Sequence, residues 1–133
     1  MSRYVDHDAT ALRDLRQALL RLHKALVDAE RATYERDHGR TVSAGEMLQM
    51  LIEHPWFAWL RPLSTLVVRI DEALDADDPV TADEIRALRE EARALVAPAE
   101  GPPGLGHRYR VVLGVEPAVT LAHGAVTRLL GAA

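Results

Sequence analysis

At 133 residues, 48% of them hydrophobic and 27% charged, the chain suits one domain with a single core and is too apolar for a disordered segment. The absence of cysteine excludes disulfides, cysteine-based zinc sites and thiol catalysis. A net charge of −4, with acidic and basic residues interspersed, argues against a nucleic-acid partner, and no stretch approaches the length of a membrane span. Residues 1–7 carry no apolar signal core and read as an N-terminal tail, so a cytoplasmic location is the expectation.

In chain order, the first predicted helix runs from about Asp8 to Asp37. Leu12, Leu15, Leu19, Leu22, Leu26, Ala29 and Thr33 alternate at spacings of three and four, the seam of a helix packed nearly antiparallel on its neighbours. Ala11, Ala18, Ala25 and Ala32 line one side of that seam, where small side chains admit a close neighbour. Gly39 is placed to end the helix.

Ser43 and Glu46 form a capping box that opens a second helix carrying Met47, Leu48, Met50, Leu51 and Ile52. Pro55 forces a kink near His54, and Pro62 a second break one short segment later. Leu63, Leu66, Val67, Ile70 and Leu74 then resume a helical stripe to Asp75. A second capping box, Thr81 with Glu84, opens a helix whose inner face is Ile85, Leu88, Ala92 and Leu95. Its outer face alternates Glu90 and Glu91 with Arg86, Arg89 and Arg93, the pattern of a solvated surface with local ion pairs.

Residues 98–106 are dense in proline and glycine and read as a loop, the segment expected to move most. A short helix over Leu105–Leu113, capped by Gly114, is expected next. Pro117 then starts the last helix, which buries Val119, Ala122, Val126, Leu129 and Leu130. The whole reads as an all-α, four-helix-bundle-like single domain over residues 1–133, with a kinked second helix and a short extra helix before the last one.

On a helical wheel the first helix sets Arg16, His23, Glu30 and Asp37 in a column between two apolar columns. Leu12, Leu19 and Leu26 flank it on one side; Leu20, Val27 and Tyr34 flank it on the other. A buried carboxylate without a partner costs several kcal/mol, of order 3–5 when a buried pair is broken. Glu30 has no cation at i±3 or i±4, so its partner is expected from another helix, with Arg61, Arg69, His54 and His123 as the candidates. The column is read first as a register-fixing ion pair or a half-exposed edge of the interface, and second as the wall of a ligand pocket.

The histidines invite metal and haem chemistry. Glu35-Arg36-Asp37-His38 matches the Glu-x-x-His spacing of di-iron bundles, but the wheel puts both ligands on the polar side and no second copy exists. His54 precedes the aromatic run Trp56, Phe57 and Trp59, which fills a kinked core or lines a pocket for a flat apolar ligand. His23 and His123, each on an apolar face, are the histidines to hold a haem iron if their helices are adjacent. The metal candidates are therefore His23, Glu30 and His123, with neither haem nor a metal ion favoured over an empty core.

Ser43 and Ser64 lack a nucleophile signature, and the glycine-dense stretch 101–106 holds two prolines where a phosphate cradle needs N–H donors. The basic tetrad His107-Arg108-Tyr109-Arg110 is expected to pair with nearby acidic residues. A Glu30/His23 acid–base pair is weakened by the seven-residue separation, about 10.5 Å along a helix. No catalytic motif supports an enzyme assignment. The leading expectation is an interaction or structural module that self-associates or binds a protein partner. The alternative is a haem, metal or small-molecule binder whose pocket is formed by His23, Glu30, Tyr34, His54, Trp56, Trp59 and Arg61.

Overall fold

The computed structural model describes residues 2–98 and 104–131, with side chains from residue 9 onward. Among these residues the chain is all-helical: α1 (Ser2–His38), α2 (Ala44–Glu53), a 3₁₀ segment (Pro55–Leu60), α3 (Arg61–Asp75), α4 (Ala82–Val96), α5 (His107–Val115) and α6 (Pro117–Gly131). α1, α3, α4 and α6 form the bundle. α1 packs along α6 and α3, and α4 closes the ring between those two.

The pairings run antiparallel. Arg16 of α1 pairs with Asp71 of α3, His23 lies beside Ser64 and Thr65, and Glu30 bonds Trp59. Numbers rise on one strand of that seam as they fall on the other. The same holds for α6: residues 14–21 of α1 face residues 125–129, and Glu30 meets Arg108 at the opposite end. Loop lengths explain the arrangement, since the short turn 76–81 obliges α4 to return along α3.

The expected seam is the core. Leu12, Leu15, Leu19, Leu22 and Leu26 are fully buried, together with Phe57, Leu60, Leu63, Ile70, Ala92, Val119 and Val126. Removing one such leucine side chain costs about 2–5 kcal/mol, the lost transfer energy plus the cavity left behind. Both capping boxes form. Ser43 Oγ accepts from Glu46 N at 3.1 Å, and Thr81 Oγ1 accepts from Glu84 N at 3.1 Å. Each cap satisfies an N–H that the first turn leaves without an intrahelical partner.

Four boundaries differ from the sequence reading. α1 starts at Ser2, so residues 2–7 continue the helix instead of forming a tail; nothing between Ser2 and Asp8 breaks a helix once the downstream turns exist. α5 starts at His107, because Gly106 stands at φ 96°, outside the helical region, while the Leu105 N–H bonds the Leu95 carbonyl at 3.1 Å and ties the chain to the end of α4. Gly114 lies inside α5 and caps nothing; the turn comes at Glu116, before Pro117. The kink at Pro55 is a complete change of helix type, with His54 Nδ1 accepting from Trp56 N at 3.1 Å as the cap. Most of the expected loop, residues 99–103, lies outside the described residues.

Candidate functional site

Glu30 is 2% exposed, the one buried charged residue among those described. Its carboxylate is held from two elements at once. Trp59 Nε1 in the 3₁₀ segment donates to Oε2 at 3.1 Å. Arg108 in the first turn of α5 donates to Oε1 through Nε at 2.9 Å and Nη2 at 2.5 Å. Neither Arg61, Arg69, His54 nor His123 supplies the expected partner. Arg61 Nε and Nη2 instead bond the carbonyls of Leu51 and His54 at 3.3 Å, satisfying the C-terminal end of α2. The basic tetrad was also expected to pair locally, yet Arg108 pairs 78 residues away, because the fold brings the first turn of α5 within reach of the Glu30 carboxylate on α1. With both oxygens engaged, Glu30 fixes three elements relative to one another.

His23 of the same column has no such partner among the described residues. It lines a cleft of about 400 Å³ between α1, α2 and α3, with Leu48, Leu51, Ile52, Leu60, Arg61, Ser64 and Thr65. Burial lowers its pKa, since a partly desolvated imidazole resists a charge. Leu48 is 63% and Ile52 61% exposed on the rim of this cleft. Met47 and Met50 of the same helix are buried on the opposite side.

The third grouping is aromatic. Tyr34 stacks on His38 with centroids 3.9 Å apart, and meets His54 edge-on at 5.5 Å and Trp56 at 5.4 Å. His38 Nδ1 donates to the Tyr34 carbonyl at 2.9 Å, since a carbonyl oxygen only accepts. Trp56 Nε1 is buried without a hydrogen-bond partner among the described residues. A fourth contact was not anticipated: Tyr109, fully buried, lies 2.5 Å from His123 Nδ1 through its hydroxyl. Burial raises the Tyr109 pKa and lowers that of His123, so both are neutral near pH 7.

The candidate residues therefore separate. Glu30 and Trp59 share one network; Tyr34, His54 and Trp56 share an aromatic cluster; His23 and Arg61 share an open cleft. His123 is bound to Tyr109 on α5, whereas His23 opens toward α2 and α3. Among the described residues no three His, Asp or Glu side chains converge as a metal ion would need. Arg108, Tyr109 and the outward face of α2 are what the sequence reading missed. The signal for α2 was present: five apolar residues in ten cannot all lie on one side of a helix.

No protein-family model, no curated protein and no solved structure matches the chain.

Proposed function

We propose that this chain is a self-associating helical interaction module that docks a second copy of itself on the outward face of α2. The observation that supports the reading is the two-sided apolar character of α2. Met47 and Met50 face the core, while Leu48 and Ile52, one turn apart, stand open to solvent beside Leu51 and the His23 cleft. A helix with apolar residues on two faces covers only one of them with its own chain, and the other is left for a partner. A ridge and a cleft on one face are what a twofold contact uses, since each copy then offers both halves of the fit. The Glu30 network supports the same reading, because it fills the interior with a structural ion pair and leaves the surface to carry function.

Sedimentation velocity from micromolar to millimolar concentration tests this. A monomer–dimer equilibrium that Leu48→Glu with Ile52→Glu abolishes is the expected result. A monomer throughout that range overturns the reading. A Soret band on haem titration, lost in His23→Ala, would replace it with the small-ligand alternative.

A further inference from the structure

We infer that the two copies pair about a twofold axis running roughly along α2, with Glu53 of each copy meeting Arg61 of the other. This rests on the self-association reading and specifies its geometry. At 100° per residue, the exposed ridge Leu48–Ile52 has different chemistry on its two flanks. About 100° beyond each ridge residue lie Gln49 and Glu53, exposed and polar. The other flank holds Leu51 and the cleft, with Arg61 in its wall.

Both charges sit at the same height, the C-terminal end of α2. Glu53 is the last residue of that helix, and Arg61 is bonded to the Leu51 and His54 carbonyls on either side of it. A twofold axis along α2 carries the acidic flank of one copy onto the cleft flank of the other without changing height. A twofold perpendicular to α2 would instead set acidic flank against acidic flank with heights inverted, placing Glu53 of each copy near Glu46 of the other.

Arg61 is suited to receive a carboxylate. It is half-buried beside four apolar side chains and pairs with no acidic residue among those described. Two of its nitrogens are committed to carbonyls, which leaves Nη1 for a partner. Among the described residues, the Glu53 carboxylate is bonded within its own chain by Gln49 alone. The ridge supplies the apolar contact, and the two reciprocal ion pairs select this register over others.

Charge reversal in two separate chains tests the pairing. Glu53→Arg opposes Arg61 of a like copy, and Arg61→Glu opposes Glu53 of a like copy. Each variant alone should dimerise about tenfold or more weakly than the parent chain. Mixed, the two should form a heterodimer, since one native Glu53–Arg61 pair is then kept and the two substituted positions restore the other with its charges exchanged. Native mass spectrometry of the mixture reads this directly. Because Arg61 also holds the end of α2, circular dichroism must show Arg61→Glu to be folded. If it is not, Glu53→Arg is measured alone against salt concentration. Association that persists unchanged in Glu53→Arg, or a mixture of folded variants that stays monomeric, overturns the pairing. Loss of dimer in Leu48→Glu alongside such a result would leave the self-association reading standing and this geometry wrong.

Discussion

Arg108 on α5 donates two hydrogen bonds to Glu30 on α1, and the two partners are unequally buried: Glu30 is 2% exposed in its side chain and Arg108 39%. The asymmetry sets what each substitution should do. Arg108→Ala strands a carboxylate in the core with the Trp59 indole as its remaining donor, at about 3 kcal/mol. Glu30→Ala leaves a guanidinium that can turn to water, so its cost should be smaller, about 1–2 kcal/mol. Replacing both by leucine should fall close to the parent chain, as apolar replacement of buried pairs often does. Urea unfolding of the three variants checks the order. Equal costs for the two single substitutions would show that Arg108 is as dry as Glu30.

A pH dependence follows from the two histidines. Burial depresses the folded-state pKa of both His23 and His123 below the unfolded value of about 6.5. A histidine held neutral in the fold binds its proton first in the unfolded chain. Its stabilising contribution is therefore complete above about pH 6.5 and declines as pH falls toward the folded-state pKa. Melting temperatures should drop between about pH 7 and 5, and the drop should shrink in His23→Gln and His123→Gln. A flat profile in the parent chain would mean that both imidazoles are hydrated.

α4 also supports the end of α6. Arg89 Nη2 donates to the Leu129 and Leu130 carbonyls at 3.1 and 3.0 Å, and Arg93 Nη2 donates to Leu130 at 2.8 Å. These carbonyls have no intrahelical partner, and the negative end of the helix favours a cation there. Arg89→Ala with Arg93→Ala should destabilise the fold by about 1–2 kcal/mol and speed amide exchange over the last turn of α6. Protection that is unchanged there would show the contacts to be replaced by water at no cost.

What the residues disclosed and what they hid can be traced to range. The leucine seam, the two capping boxes and the proline breaks are local patterns, and α1, α2 and α4 carry them where expected. Burial of Glu30 was also legible, since the 18 residues from Leu12 to Glu30 make about five full turns and return to the azimuth of a buried leucine. Its partner was not legible. Which helix end lies over α1 depends on how α5 crosses the bundle, and nothing in the tetrad His107–Arg110 encodes that. Arg93 makes the expected local ion pair with Glu90, but its second contact and that of Arg89, to the end of α6, were hidden for the same reason, since they depend on where α6 ends. Glu35, on the polar side of the wheel, accepts the Val42 N–H at 2.7 Å, a contact created by the return of the chain after Gly39.

The two faces of α2 should respond in opposite ways to one kind of substitution. Leu48 and Ile52 are already in water, so glutamate at both positions should change unfolding free energy by no more than about 0.5 kcal/mol. Met50 is buried among the core side chains, and Met50→Glu should cost several kcal/mol, of order 3 or more, by placing a carboxylate in the apolar core. Association should follow the reverse order, lost in Leu48→Glu with Ile52→Glu at unchanged stability. Thermal melts at low concentration, paired with sedimentation at high concentration, separate the two effects. If the outward pair destabilises the monomer as much as Met50→Glu does, α2 is covered by its own chain in solution and offers no face to a second copy.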